Sequence, residues 1–181
     1  MSDRRSDRIE FLEQSDIRRM SRECARVGGI NLGQGICPLP SPPEVLDGAA
    51  EAIREDKSTY SVSEGVPELR GAIAEKLADE HDWDVDVDDG LCVTVGSTGA
   101  FACAVQGLFN PGDEFILLEP YYGYHLNGIR AGECRANFVT LEPPEWAIDG
   151  EAIEEAVTDR TRAIVVNTPG NPTGKVFSRE E

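Results

Sequence analysis

Short apolar runs separated by helix-like segments dominate the second half of the chain. Four of these runs have the length and composition of buried strands: LCVTV, EFILLE, CRANFVTL and RAIVVN. Segments with helical character lie between them, including GSTGAFACAVQGLF and IDGEAIEEAVT, where Asp149 is the expected cap. This alternation predicts an α/β fold, in which a mainly parallel sheet is covered by helices on both faces. We therefore expect a three-layer sandwich.

The first half of the chain is predicted to consist of helices joined by loops rich in Gly and Pro. A helix is expected from about Ser6 to Val27, followed by the irregular loop INLGQGICPLPSPP. Ser41 is the expected cap of a second helix, EVLDGAAEAIRE. Pro67 is the expected first residue of a third helix, PELRGAIAEKLADEH.

The charge balance changes the picture of possible partners. The chain carries 34 acidic and 17 basic residues, a formal net charge of −17. Such a surface repels nucleic acid and anionic lipid, so neither is an expected partner. A surface of this kind suits a protein that works in concentrated salt, where repulsion between carboxylates is screened. A halophilic source is therefore our hypothesis.

The remaining composition favours a cytoplasmic enzyme or binding protein. The sequence has no apolar run of membrane-spanning length, and its polar N-terminus lacks the apolar stretch of a secretory signal. The five cysteines are widely spaced and form no C-x-x-C pair, so we predict reduced and mostly buried thiols and no metal site.

Three stretches that follow predicted strands have residue types suited to binding a ligand. In VTVGSTGAF, Ser97 and Thr98 open a helix, where free amides and hydroxyls favour an anion such as phosphate. In EPYYGYH, Tyr122 is one of three aromatic residues placed to stack on a flat ring. In NTPGNPTGK, Asn167 and Asn171 bracket a rigid turn. Because parallel strands end at one edge of the sheet, these stretches together predict a site for a planar phosphorylated cofactor.

The chain resembles the class I and II aminotransferases, which are fold type I pyridoxal-phosphate enzymes. The resemblance lies in the order of five stretches: NLGQG, Tyr60 with EGVPELRGAI, VTVGSTGA, EPYYGY and NTPGNPTGK. The similarity extends from about residue 9 to the end and is strongest to the kynurenine/glutamine- and aspartate-aminotransferase-like branch. The resemblance implies that Ser97 and Thr98 hold the phosphate of pyridoxal 5'-phosphate. It also implies that Tyr122 stacks on the pyridine ring and that Asn171 hydrogen-bonds the phenolic oxygen of that ring.

The same resemblance implies a domain division and a dimer. Residues 1–45 correspond to an N-terminal arm with the substrate loop, and residues 46–181 to the first part of the cofactor-binding domain. Tyr60 matches a tyrosine that reaches the phosphate in a neighbouring subunit, which implies a homodimer. Gly35 lies in the loop that closes over the substrate, although GQGICPLP lacks an aromatic residue common in relatives two positions further on.

The family's chemistry requires residues that we do not find in this sequence. In the family, three functional residues follow the N-P-x-G turn. They are the Schiff-base lysine, the acid that pairs with the pyridine nitrogen and the arginine that binds the substrate carboxylate. None of Lys57, Lys76 and Lys175 matches that lysine. Ser178 and Glu181 also have the spacing of a capping box that starts another helix. We therefore expect an N-terminal portion of an aminotransferase, without catalytic residues of its own. A non-catalytic cofactor-binding or subunit-association module and a lyase of the same fold remain alternatives.

Overall fold

The computed structural model describes residues 6, 16–35 and 37–181, and it divides into two compact units. One unit comprises residues 16–94, and the other contains residues 95–181. The predicted domain boundary after residue 45 stays a prediction. In chain order the elements are α1 (Asp16–Arg26), α2 (Pro43–Arg54), α3 (Pro67–His81), α4 (Gly96–Leu108), β1 (Glu114–Glu119), α5 (Gly123–Ala131), β2 (Arg135–Thr140), α6 (Gly150–Ala156) and β3 (Thr161–Val165).

The second unit is built on a parallel sheet with the strand order β2-β1-β3. Strand β1 is central: it is paired along both edges, and residues 114–118 are all buried. Strands that are covered on both faces read as continuous apolar runs, which is why EFILLE was recognisable from sequence. The α/β class, the parallel pairing and these three strands are confirmed.

Two apolar clusters cover the two faces of this sheet. On one face Phe115 packs with Val105 of α4 and Ile129 of α5. On the other face Ile116 and Leu118 pack with residues that include Ile153 of α6. Because successive strand residues point to opposite faces, the single strand β1 supplies both clusters. The resulting order of helices, sheet and helix is the predicted three-layer sandwich.

The first unit contains α1, α2 and α3, and a buried arginine stabilises part of it. Arg70 of α3 is only 8% exposed. Its guanidinium donates to the carbonyl oxygens of Gly65 at 3.2 Å and Val87 at 2.6 Å. These bonds join α3 to the segments on either side of it. An arginine buried in this way is satisfied by hydrogen bonds, as its burial requires.

One predicted strand is wrong. Residues 91–94 of the LCVTV run belong to no ladder in the described part of the chain. Instead, the Val93 amide donates to the carbonyl of Glu64 at 2.9 Å, and the Val93 side chain lies directly over Gly65. The segment therefore packs against a loop of the first unit. A short apolar run looks the same in sequence whether it is a paired strand or an irregular segment packed against a loop, so its pattern does not distinguish the two.

Two further expectations need correction. Helix α2 begins at Pro43 after Pro42, and no side chain of the described residues caps it, so Ser41 is not the cap. A proline at the first position needs less capping because it has no N–H to satisfy. The cysteines are free, as predicted, but they are not mostly buried: among them only Cys134 is buried, and Cys37, Cys92 and Cys103 are exposed.

Other local predictions are confirmed. Asp149 caps α6 by accepting from the amides of Glu151 and Ala152 at 3.0 and 3.2 Å. Ser178 and Glu181 form the reciprocal pair of a capping box, with distances of 2.9 and 3.2 Å. Helix α1 matches the second part of the helix predicted from Ser6 to Val27; residues 7–15 of that prediction lie outside the described residues. No helix within the described ranges is long and apolar enough to cross a bilayer.

Candidate functional site

Two adjoining cavities lie in the second unit, near the carboxyl ends of its strands. The larger encloses about 370 Å³ of empty space, part of it open to solvent, and the smaller about 190 Å³. Tyr122 and His125 line both, so these two residues form a shared wall. The larger cavity is bounded by the ends of all three strands, through residues such as Leu118, Leu141 and Val165. This is the edge at which α/β sheets bind ligands.

The smaller cavity contains the predicted phosphate site. Ser97 and Thr98, in the first turn of α4, line it together with Tyr122 and His125. Gly96 begins the helix with a φ of +66°, a conformation that glycine adopts without strain. The first amides of a helix have no partner within the helix and carry its positive end. The first turn of α4 contains no acidic residue, so nothing in that turn opposes an anion.

Aromatic side chains and an imidazole form the wall between the cavities. The Tyr122 ring lies 5.4 Å from the His125 ring and 5.2 Å from the Tyr124 ring. The centroid of the Phe101 ring, in α4, lies 4.8 Å from that of the His125 ring. Burial lowers the pKa of His125, so the imidazole is neutral at pH 7. Its Nδ1 atom is buried and has no hydrogen-bond partner among the described residues.

The turn after β3 lines the larger cavity through residues that include Asn167, Gly170 and Thr173. Backbone hydrogen bonds of 2.7 Å join the Gly170 amide to the Lys175 carbonyl and the Gly174 amide to the Gly170 carbonyl. A Cβ atom at Gly170 would lie 2.8 Å from Oγ1 of Thr173, so a larger residue there would force this hydroxyl to move. The turn is therefore compact and is closed in part by its own backbone hydrogen bonds.

The structure brings some of the expected site residues together and leaves others apart. Ser97, Thr98 and Tyr122 line one cavity. Asn171 is exposed and lines neither of the two cavities, whereas Asn167, four residues earlier, lines the larger one. Tyr60 and Gly35 are exposed residues of loops in the first unit. The roles of all these residues in binding stay predictions.

His125 is the site residue that the sequence analysis did not single out. The only sequence feature that could have indicated His125 is its position three residues after Tyr122, in the stretch EPYYGYH. Because α5 begins at Gly123, His125 lies in the first turn of that helix and can face the same cavity as the tyrosine. Its burial and its unpartnered nitrogen are tertiary properties, so the sequence did not reveal them.

Comparisons with known proteins identify the class. The family model of aminotransferase class I and II matches residues 27–181, and the chain belongs to this family. It is 39% identical over 164 residues to a probable N-succinyldiaminopimelate aminotransferase of Mycobacterium tuberculosis, covering 90% of this chain and 41% of that protein. It is 33% identical over 175 residues to a probable aspartate aminotransferase of Methanocaldococcus jannaschii, covering 97% and 46%.

Solved structures show the same relationship. The N-succinyldiaminopimelate aminotransferase structure from Mycobacterium tuberculosis matches with a TM-score of 0.92 and 36% identity, covering 98% of this chain and 47% of that one. A structure described as having a methionine aminotransferase function, from Escherichia coli, matches with a TM-score of 0.91 and 27% identity, over 97% and 46%. The chain thus spans less than half the length of these relatives.

Pyridoxal phosphate is the cofactor expected of a class I and II aminotransferase. The residues of the smaller cavity fit such a group. The start of α4 offers amides and two hydroxyls to a phosphate, Tyr122 offers a ring face, and the buried Nδ1 of His125 offers a nitrogen that lacks a partner. The cavity wall therefore has both the polar and the flat apolar surfaces that a phosphorylated heterocycle needs.

Proposed function

We propose that this chain forms the cofactor-holding part of an aminotransferase that moves an amino group from an amino acid to a 2-oxo acid. The observation that supports it best is the common cavity of Ser97, Thr98 and Tyr122, at the carboxyl end of a parallel sheet. When bound, pyridoxal phosphate supplies the electron sink for this chemistry. Ser97 and Thr98 hold the phosphate, and Tyr122 fixes the plane of the ring.

The other expected site residues, together with His125, have separate roles in this proposal. Asn171 donates its amide to the phenolic oxygen of the ring, as the family resemblance implies. The neutral imidazole of His125 offers hydrogen bonding without adding a positive charge. Gly35 belongs to the loop that covers the substrate. Tyr60, whose side chain is fully exposed, extends to the phosphate bound by a second copy of the chain, so the working unit is a homodimer.

The 181-residue chain alone is proposed to be inactive in transamination. Its three lysines are already paired with carboxylates: Lys57 with Glu55 at 2.7 Å, Lys76 with Glu80 at 3.7 Å, and Lys175 with Glu181 at 2.9 Å. Reduction with borohydride in the presence of pyridoxal phosphate is expected to leave no stoichiometric label on one lysine. Such a label, located by peptide mass spectrometry, would show that the chain has its own covalent partner for the cofactor.

Binding of pyridoxamine 5'-phosphate tests the cofactor site directly. This probe carries an amine in place of the aldehyde, so it does not react with surface lysines. We expect saturable binding by equilibrium dialysis, weakened about tenfold or more in Ser97→Ala/Thr98→Val because bonds to a charged phosphate are lost. Gln106→Ala is the matched control, since Gln106 lies further along α4 and is exposed. Equal affinities in all three proteins, or no saturable binding, would overturn the proposal.

A further inference from the structure

An ion pair holds the turn that lines the larger cavity. Nζ of Lys175 lies 2.9 Å from Oε1 of Glu181, and the two side chains are only 20% and 21% exposed. The other carboxylate oxygen of Glu181 accepts from the Ser178 amide at 2.9 Å. We propose that Glu181 is a positioning residue for the cofactor site, acting through Lys175 on the turn of residues 167–175, which contains Asn171, the residue assigned above to the ring of the cofactor. This inference rests on the function proposed above.

Glu181 has two partners, the Lys175 ammonium group and the Ser178 amide. The hydrogen bond from Lys175 is the main reason that the pKa of Glu181 is lowered, and the amide of Ser178 contributes further. The backbone of Ile148, just before α6, adds a smaller effect. Glu181 therefore holds the end of the turn through Lys175 and closes the following residues through Ser178. A carboxylate that accepts several hydrogen bonds stays ionised and holds its partners in a fixed geometry.

Lys175 is placed to transmit this restraint to the cavity. Its carbonyl accepts from the Gly170 amide at 2.7 Å, and its amide donates to Oγ1 of Thr173 at 3.2 Å. Its ammonium group also lies 5.8 Å from the centre of the Phe177 ring. Gly170, Thr173 and Phe177 all line the larger cavity. These three contacts of Lys175 thus all go to residues of the cavity wall.

The strength of this restraint follows from its burial and its several bonds. Exposed ion pairs contribute little because solvent screens them and two flexible side chains must be ordered. The Lys76–Glu80 pair of α3 is of that kind, with side chains 66% and 55% exposed. The Lys175–Glu181 pair is more enclosed and shares its carboxylate with the backbone. The two pairs therefore provide a matched comparison within one molecule.

The experiment measures pyridoxamine 5'-phosphate affinity in Glu181→Gln, Lys175→Met, Lys175→Arg and the control Lys76→Met. The first two remove the ion pair, and we expect each to weaken binding by about fivefold to tenfold. Lys175→Arg keeps a positive charge opposite the carboxylate and is expected to retain most of the affinity. Weak binding in Lys175→Met beside near-normal binding in Lys175→Arg would then be due to the lost charge and not to loss of folding. Lys76→Met is expected to bind like the unaltered chain.

Amide hydrogen exchange provides a second readout that does not require any ligand. In Glu181→Gln the amides of Gly170 and Gly174 are expected to exchange faster, while that of Leu141, bonded to Glu119 at 2.8 Å, stays unchanged. Unchanged affinity in Glu181→Gln and Lys175→Met, while Ser97→Ala/Thr98→Val binds weakly, would overturn this inference and leave the proposed function standing. Absence of saturable binding by the unaltered chain would overturn both.

Discussion

The hydroxyl of Thr158 donates a 2.6 Å hydrogen bond to the carboxylate of Glu114. Glu114 is the first residue of the central strand β1, and Thr158 lies in the loop between α6 and β3. The same carboxylate oxygen accepts from the Asn137 amide of β2 at 2.9 Å. One largely buried carboxylate thus joins the loop, the central strand and an edge strand, at the end of the sheet opposite the cavities.

Loss of this contact is expected to lower stability. Thr158→Val removes the donor and leaves the Glu114 carboxylate with fewer hydrogen-bond partners. We expect the melting temperature to fall by about 5 °C, the effect of losing one charge-assisted hydrogen bond in a domain of this size. Thr158→Ser keeps the hydroxyl and is the control. Calorimetric melting of the three proteins checks this, and equal values for Val and Ser variants would contradict it.

Stability is expected to depend on the protonation of Glu114. The hydrogen bond from Thr158, followed by that from Asn137, lowers the pKa of this carboxyl in the folded protein. Its contribution is therefore present above the ordinary glutamate pKa of about 4.3 and is lost as the pH falls through the lower folded value. Urea unfolding at a series of pH values is expected to show a smaller acid-side decrease in Glu114→Gln than in the unaltered chain.

His125 is expected to resist protonation. Because burial lowers its pKa, the unfolded chain binds a proton more readily than the folded one. The free energy of unfolding therefore decreases as the pH falls below about 6.5, the ordinary pKa of histidine in an unfolded chain. An NMR titration of the ring is expected to give a midpoint below that of a blocked histidine peptide. A midpoint equal to or above the peptide's would contradict a partly buried, neutral imidazole.

Two glycine substitutions are expected to have opposite effects. Gly65 has a φ of +101°, and a Cβ there would lie 2.7 Å from Val93, so Gly65→Ala should lower the free energy of unfolding by at least about 1 kcal/mol. Gly48 lies in α2 with no atom within 4 Å of its added Cβ. Gly48→Ala should therefore raise it by roughly 0.5–1 kcal/mol. Urea unfolding measures both, and effects of the same sign would contradict this reasoning.

Salt is expected to stabilise the protein. With a net charge of −17, the folded chain experiences strong self-repulsion that added ions screen. We expect the melting temperature to rise between about 0.1 M and 1 M KCl, over which the screening length shortens from about 10 Å to 3 Å. The exposed-charge variant Asp84→Asn/Asp89→Asn should show a smaller rise. A maximum at low salt would contradict both the screening account and the halophilic hypothesis.

Local patterns predicted much of the fold, and long-range contacts account for what was missed. EFILLE was recognisable because a strand buried on both faces is apolar throughout, and the cap at Asp149 because a carboxylate before a helix has a local function. LCVTV failed because a short apolar run has the same pattern whether it pairs in a sheet or, as here, packs against the loop at Glu64 and Gly65. In the candidate site, Ser97 and Thr98 share a cavity with Tyr122 although the run before them is not a strand, so the helix start at Gly96 was the useful local signal. The partial burial of His125 involves ring contacts with Phe101 and Tyr122, and the contact with Phe101 is not visible in the local sequence pattern.

The wall of Tyr122 and His125 between the two cavities limits how this site can be redesigned. A change in the size or polarity of either side chain alters both openings at once. Binding of a ligand in one cavity therefore cannot be changed at these two positions without also changing binding in the other cavity. An engineer who wishes to vary the selectivity alone should begin at Asn167 or Thr173, which border the larger opening and not the smaller one.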